Sequence, residues 1–549
     1  MSWHCLVFEA NSIQSWVFGS GRLRHIVGGS RLVSGLTDEL LDSVLAGLGL
    51  EAGRDMLFPR RGGGAFYAFS EDAEAIERLA QCWPLFVARY APGLGFSLGR
   101  GEGDGPRAAF VAARAALQRT GKRPWPVLPQ ATPVMERAPR TGRPAVARHR
   151  KDVLDETSRA QERAEAIARA NAHEDIEPGM RLARRLERGT NIWPRDMEPD
   201  ESPTGSDAAF PFRRDEQGAL ASRYVALVHA DGNGLGQVLQ QLQAVGSDGA
   251  EYLSLFRRFS DALDQATLEA AARACQAHLI NDPDTCDFET LPARPIILGG
   301  DDLTFLVRAD LALPFTRSFL EAFEQETASR LKTLGVAGLE RGLTACAGLA
   351  YLRANQPFHM GVQLAESLCA HAKAQVRQGV NGGPMVSALA LHRCTDSLIE
   401  DYEQLLHSSL TIADHAGAQS YRLTMEAWAL HSGDAGLPPL DALVGLLAWL
   451  NHKQIARGPG RQLLGLMGLS PGLARVRYRR WLEILEKRDG QSGSRLAEEF
   501  SGLLKAAACG ARVLEDLPFV ERQERLFATP LGDAMALKSL LCRSAEVQA

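Results

Sequence analysis

The sequence predicts an α+β protein built from two ferredoxin-like domains, a helical connector and a helical C-terminal domain. Three observations predict it. An apolar run, Gly299-Gly300-Asp301-Asp302 and a second apolar run make a strand, tight turn and strand over 295–307. A similar pattern stripped of its acidic pair lies within the first 125 residues. After 387 the apolar residues fall at helical spacing almost throughout. The expected boundaries are 1–125, 126–220, 221–390 and 391–549, and a chain of 549 residues at 45% hydrophobic content is too long for one core.

In the first domain, Cys5-Leu6-Val7-Phe8-Glu9-Ala10-Asn11-Ser12 repeats the pattern of Ala226-Leu227-Val228-His229-Ala230-Asp231-Gly232-Asn233, placing Ala10 where Asp231 stands. Gly62-Gly63-Gly64-Ala65-Phe66-Tyr67-Ala68-Phe69 repeats the second hairpin with both carboxylates gone. Gly93–Gly99 echoes the strand containing Ala347-Gly348-Leu349, and an Ala-rich helix follows Pro106. The expectation is an internal duplication whose first copy keeps the fold and has lost its metal ligands. The alternative is two unrelated modules with convergent hairpins.

Across the end of the first domain and the start of the connector, Arg107 to Lys151 turns basic, with Arg119, Lys122, Arg123, Arg137, Arg140, Arg143, Arg148 and Arg150. It reads as an exposed linker, with contact to RNA phosphate as the functional alternative, for which Trp125 alone is thin support for base stacking. Residues 152–190, rich in Glu, Arg and Ala, read as a solvated helical connector, and 193–218 as a flexible loop.

In the second domain the strand from Tyr224 ends at Asp231 and runs into a Gly-rich turn, Gly232-Asn233-Gly234. If this strand neighbours the hairpin, Asp231, Asp301 and Asp302 converge. Three clustered carboxylates are costly without a divalent cation, and an all-oxygen set suits Mg²⁺ or Mn²⁺ in a two-metal nucleotidyl-transfer site. Arg341–Leu352 reads as a further buried strand, and Pro357-Phe358 opens a helix carrying Glu366, Lys373 and Arg377. Lys373 and Arg377 are four apart, on one face, where they hold a triphosphate or simply meet solvent.

The remaining features set limits. A net charge of −5 confines any nucleic-acid contact to local patches. Nine cysteines without a C-x-x-C pair indicate neither a zinc ribbon nor a disulfide framework, and a reducing cytoplasm fits; Cys275 and Cys286 read as structural. No signal peptide or membrane span is expected, the apolar run at Ala442–Leu450 being too short. Arg475–Trp481 interleaves cations with aromatics and is read as a bundle surface in preference to an RNA contact.

The set His229-Ala230-Asp231-Gly232-Asn233-Gly234, Leu298-Gly299-Gly300-Asp301-Asp302-Leu303, Thr344-Ala345-Cys346-Ala347-Gly348-Leu349 and Ala372-Lys373-x-x-x-Arg377 resembles the polymerase/cyclase palm of the large, Cmr-type subunit of type III CRISPR effector complexes. The resemblance is strongest over 222–390. It implies two nucleotide cyclase-like palms, with only the second active, making a cyclic oligoadenylate second messenger from ATP in antiviral defence. It implies catalytic Asp231, Asp301 and Asp302, two Mg²⁺ or Mn²⁺ ions at Asp231, Gly232, Asp301 and Asp302, and a nucleotide held by Gly232, Asn233, Gly234, Gly299, Gly300, Lys373 and Arg377. The implied partners are ATP, other subunits of a guide-RNA effector complex and target RNA, with no membrane, a cytoplasmic setting, and small helical subunits on the C-terminal domain. Three departures stand out: Cys346 replaces a frequent serine, no zinc-binding insertion is evident, and no HD nuclease domain is expected. A GGDEF-type cyclase acting on GTP and a catalytically silent scaffold are the rival readings.

Overall fold

The computed structural model describes residues 2–120, 130–149, 152–170, 176–189, 192–197, 209–212, 222–244, 249–281, 290–395, 401–413, 419–452, 455, 457–487, 491–538 and 540. Lys122, Arg123, Trp125, Arg150, Lys151, Asp282–Thr285, Cys286 and most of the 193–218 loop lie outside the described residues.

Two sheets share one topology. Strands β1 (Trp3–Asn11), β2 (Leu57–Gly62), β3 (Ala65–Ser70) and β4 (Gly95–Gly103) form a sheet in the order β2-β3-β1-β4. After a short hairpin, β5 (Ala147–His149) and β6 (Asp152–Leu154), come β7 (Tyr224–Gly232), β8 (Ala293–Gly299), β9 (Asp302–Arg308) and β10 (Ala345–Arg353) in the matching order β8-β9-β7-β10. Each copy has a central first strand antiparallel to both neighbours, then a helix after its third strand (Ala73–Tyr90; Ala309–Lys332) and after its fourth (Pro106–Thr120; Phe358–Val380). The two glycines that meet these last helices also correspond. A Cβ on Gly99 would sit 2.2 Å from the Ala113 carbonyl oxygen, and one on Gly348 would sit 2.0 Å from that of Ala365, so neither position tolerates a side chain.

The register corrects one expectation. Both hairpins turn through two residues, pairing Gly62 with Ala65 and Gly299 with Asp302, so Ala65 corresponds to Asp302. Asp302 lies opposite Asp231, but Ala65 lies opposite Glu9, not Ala10. A slip of one residue moves every side chain to the other face of a strand, and the faces agree with Glu9: its carboxylate meets Arg114 on helix Pro106–Thr120 at 2.8 Å, as Asp231 meets Lys373 on helix Phe358–Val380. The first copy has therefore lost two of three carboxylates, and the third is neutralised by Arg114 and accepts a hydrogen bond from the Tyr67 hydroxyl at 2.9 Å.

Restoring the pair there is expected to fail. Gly64 has φ +73°, and a Cβ on it would lie 2.8 Å from Ile13 Cδ1, so Gly64→Asp with Ala65→Asp costs about 1–3 kcal/mol in strain and overpacking. Titration calorimetry should count the same number of Mn²⁺ ions as in the unmodified chain, with a lowered melting temperature; additional Mn²⁺ would contradict the decayed-site account.

The two sheet domains pack together through a mixed core. Cys5, Val7, Tyr67, Phe69 and Phe110 of the first meet Tyr252, Leu253 and Phe256 on helix Ala250–Cys275 of the second, with Phe110 and Phe256 ring centroids 6.0 Å apart. This sets β2, at the edge of the first sheet, against helix Ala250–Cys275 of the second domain.

Two further expectations change. Helix Glu156–Ala170 is packed, not solvated: Gly28 and Gly29 let it approach helix Leu23–Gly35 so closely that a Cβ on Gly28 would lie 1.7 Å from the Gln161 carbonyl oxygen. Its polar groups are paired, Gln161 Nε2 donating to the Trp16 carbonyl at 3.0 Å and Glu165 meeting Arg195 at 2.7 Å. Nor is the C-terminal part purely helical, since β11 (Ala388–Arg393) runs parallel to β10 and extends the second sheet. Then β12 (Thr411–Ala413), β13 (Ser420–Arg422), β14 (Trp428–Ala429), β15 (Val520–Gln523) and β16 (Leu526–Ala528) follow. Of these, β14 caps the second sheet and the other four form a separate sheet in the order β12-β13-β16-β15 beside the helices. Strands of two to four residues are too short to show alternation. Tyr478 and Trp481 are buried beside Trp449 and Phe500, so the basic segment is a bundle surface with its aromatics inside, as expected. Among the described residues no helix is long and apolar enough to cross a membrane.

Candidate functional site

The chemistry gathers where β7 ends beside the β8–β9 turn. Gly300 takes φ +61° at the first turn position, the conformation a tight two-residue hairpin requires. Helix Ala250–Cys275 clamps this turn, Thr267 Oγ1 donating to the Gly300 carbonyl at 2.5 Å and Asp264 Oδ1 accepting from the Gly300 amide at 3.3 Å. Asp301 then lies over Gly232, where a Cβ would come within 2.8 Å of the Asp301 Cβ, so Gly232 is glycine because the carboxylate occupies its side-chain space. Asn233 pins the following turn, its amide donating to the Thr344 carbonyl at 2.8 Å and its Nδ2 to Thr344 Oγ1 and the Val386 carbonyl, each at 3.0 Å.

Asp231, Asp301 and Asp302 each bring a carboxylate oxygen to within 4.8 Å of the others. Burial, followed by repulsion from Asp231, pushes Asp301 up to about 7. Burial, then Asp301 and Asp231, raises Asp302 well above the usual carboxylate range. Carboxyl groups forced to retain protons in this way mark a site short of positive charge, which a divalent cation bound through oxygen would supply.

Lys373 Nζ donates to Asp231 and, at 2.8 Å, to the Gly232 carbonyl. Burial opposes its charge, but Asp231 holds its pKa above the ordinary value. Arg377, one turn further along the helix, is exposed, and Gly234 and Gly299 flank the carboxylates in the two turns. Beneath them His229 is buried, pushed down to about 4 by that burial, with Nδ1 3.1 Å from Thr304 Oγ1. Cys346 lies opposite Asp231 in register, and burial raises its thiol to about 11.

The first domain adds a cation that no sequence motif marks. Arg60 on β2 stacks on Tyr67, its Cζ 5.5 Å from the ring centroid. Burial works against its charge, yet Tyr67, Asp301, Glu9 and Asp302 together hold its pKa above the usual value. The available signal was an arginine where the second copy has Ile297. Asp264 and Thr267, within helix Ala250–Cys275 and in no recognisable motif, gave none.

Residues 224–380 match the family described as Cas10/Cmr2, second palm domain, the family the motifs resemble. No curated protein matches the chain. Among solved structures, a Csm1–Csm4 cassette in complex with cA3 is similar at TM-score 0.50 and 14% identity, over 98% of this chain and 69% of that one. A Csm1–Csm4 cassette with cA4 is similar at TM-score 0.38 and 13% identity, over 68% of this chain and 53% of that one. A cassette with AMPPNP is similar at TM-score 0.47 and 12% identity, over 98% and 70%. This chain thus spans about half the length of its counterpart in the cA4 complex.

Proposed function

From a chain whose second palm is of the Cas10/Cmr2 type, we propose a metal-dependent nucleotidyltransferase that joins and cyclises ATP into cyclic oligoadenylate, as a subunit of a type III CRISPR effector complex. The observation that carries this is the convergence of Asp231, Asp301 and Asp302, with the carboxyls of Asp301 and Asp302 pushed above the ordinary range. ATP and the cyclic product come from the family and from the nucleotides named with the similar Csm1–Csm4 structures.

The carboxylates and the Gly232 carbonyl would hold two Mg²⁺ or Mn²⁺ ions. Such ions activate a 3′-hydroxyl and stabilise charge on the attacked α-phosphate and departing pyrophosphate. Lys373 neutralises Asp231 in the free protein; with that carboxylate engaged by a cation, its ammonium would be available to the triphosphate. Arg377, a turn away and exposed, follows the phosphates outward, while Gly234, Gly299 and Gly300 leave room for them. Arg60 faces the same carboxylates from the first palm, so an acceptor nucleotide between the palms meets positive charge on both sides.

Arg60→Ala is accordingly expected to raise KM for ATP about tenfold, one charge-assisted contact being worth about 1.5 kcal/mol or more, with a smaller change in turnover. Steady-state kinetics that leave KM unchanged would remove Arg60 from substrate binding. The function itself is tested with radiolabelled ATP and GTP in Mn²⁺, with and without guide and target RNA. Conversion of ATP to cyclic oligoadenylate is expected; conversion of GTP alone would indicate a different cyclase, and turnover of neither would leave a scaffold.

A further inference from the structure

Helix Phe358–Val380 carries a second buried charged group. His371 lies two residues before Lys373, about 200° around the helix, and its side chain is 5% exposed. Its Nδ1 is 2.6 Å from Glu403 Oε1 and its Nε2 is 3.0 Å from Glu426 Oε2. A neutral imidazole has one N–H, so a ring with a carboxylate at each nitrogen satisfies both only as the imidazolium.

The surroundings are built to hold that cation. Glu426 is buried and adopts φ 70°, a left-handed conformation costing about 1 kcal/mol or more for a residue other than glycine. Its second oxygen accepts from Arg422 on β13, and Gln375 Nε2 lies 3.4 Å from the first. The Tyr402 ring packs edge-on to the imidazole at 4.9 Å. Glu403 and Tyr402 come from helix Tyr402–Ser408, Arg422 and Glu426 from the strand and turn beyond it, and Gln523 of β15 closes the groove. A chain of alternating charge, Glu403, His371, Glu426, Arg422, therefore joins the Lys373 helix to the C-terminal domain.

We propose that His371, as imidazolium, is a positioning residue that clamps the Lys373 helix to the C-terminal domain and so holds Lys373 at Asp231. This rests on the assignment of Lys373 to the nucleotide site. It gives any movement of the C-terminal domain a lever on that lysine. Burial opposes the imidazolium, but the two glutamates outweigh it and raise the His371 pKa, while His371 and Arg422 hold Glu426 below its ordinary value despite burial. A raised histidine pKa means that the clamp is complete below the unfolded value of about 6.5 and is lost as pH climbs through the folded value.

The test needs no nucleotide, so it stands or falls separately from catalysis. The full chain is acetylated with acetic anhydride at pH 6.5 and at pH 9, and each lysine is quantified by mass spectrometry, with exposed Lys332 and Lys505 as internal references. In the unmodified chain the Lys373 ratio to the references should be low at pH 6.5 and rise about fivefold at pH 9. His371→Gln should show the high ratio at both pH values, and Glu403→Gln, on the exposed side, about a twofold rise at pH 6.5. If His371→Gln does not fold, the pH series of the unmodified chain and Glu403→Gln decide alone. A Lys373 ratio that is flat with pH and unchanged by the variants would overturn the proposal.

Discussion

Asp301→Ala with Asp302→Ala is expected to abolish product formation, by roughly 10³-fold or more, because the metal contribution is several kcal/mol of transition-state stabilisation at about 1.4 kcal/mol per decade of rate. The fold should survive, since the turn is set by Gly300, Thr267 and Asp264 and not by the two side chains. Indeed the metal-free variant should melt no lower than the unmodified chain at pH 8. Asp301 is raised from 3.8 to about 7 in the folded protein, so the folded state keeps protons that the unfolded chain has already released. That favours the fold at low pH, and the advantage is lost as pH rises through 7, where buried, mutually repelling carboxylates must ionise. The same sign makes cation binding compete with protons: the rise in melting temperature produced by Mn²⁺ should be small at pH 5.5, large at pH 8 and absent in the double variant. Calorimetric scans with EDTA and with Mn²⁺ check both statements. Full activity in the double variant would end the metal assignment.

Lys373→Ala should raise KM for ATP and lower turnover, a combined loss of roughly 1.5–3 kcal/mol, or about 10- to 100-fold in kcat/KM. The structure adds a control. In the free protein Lys373 shares Asp231 with any incoming cation, so its removal should leave Mn²⁺ affinity equal or higher while nucleotide affinity falls. Unchanged kinetics would show that Lys373 serves only to neutralise Asp231, and weakened Mn²⁺ binding would show that it holds the carboxylate in place.

The convergence of the three aspartates was legible because its determinants are local. Glycines at a two-residue turn, apolar runs on either side and a carboxylate at a strand end need only a few neighbouring residues to specify them. The repeated topology was legible for the same reason, but its register was not: Glu9 and Ala10 are adjacent, both fit the strand pattern, and only cross-strand pairing with Ala65 and the contact to Arg114 separates them. Arg60, Asp264, Thr267 and His371 were missed because each reaches its partner across a packing interface that no local pattern encodes. Helix Glu156–Ala170 was misread as solvated because its composition is polar; what buries it is the pair Gly28 and Gly29 on another helix.

The central claim is that the second palm, and not the first, binds catalytic cations. Anomalous diffraction from crystals soaked with Mn²⁺ and a non-hydrolysable ATP analogue tests it most directly. The account predicts manganese peaks bounded by Asp231, Asp301 and Asp302, with Lys373 turned toward the phosphates. Peaks at Glu9 and Gly64, or none at the three aspartates, would contradict it.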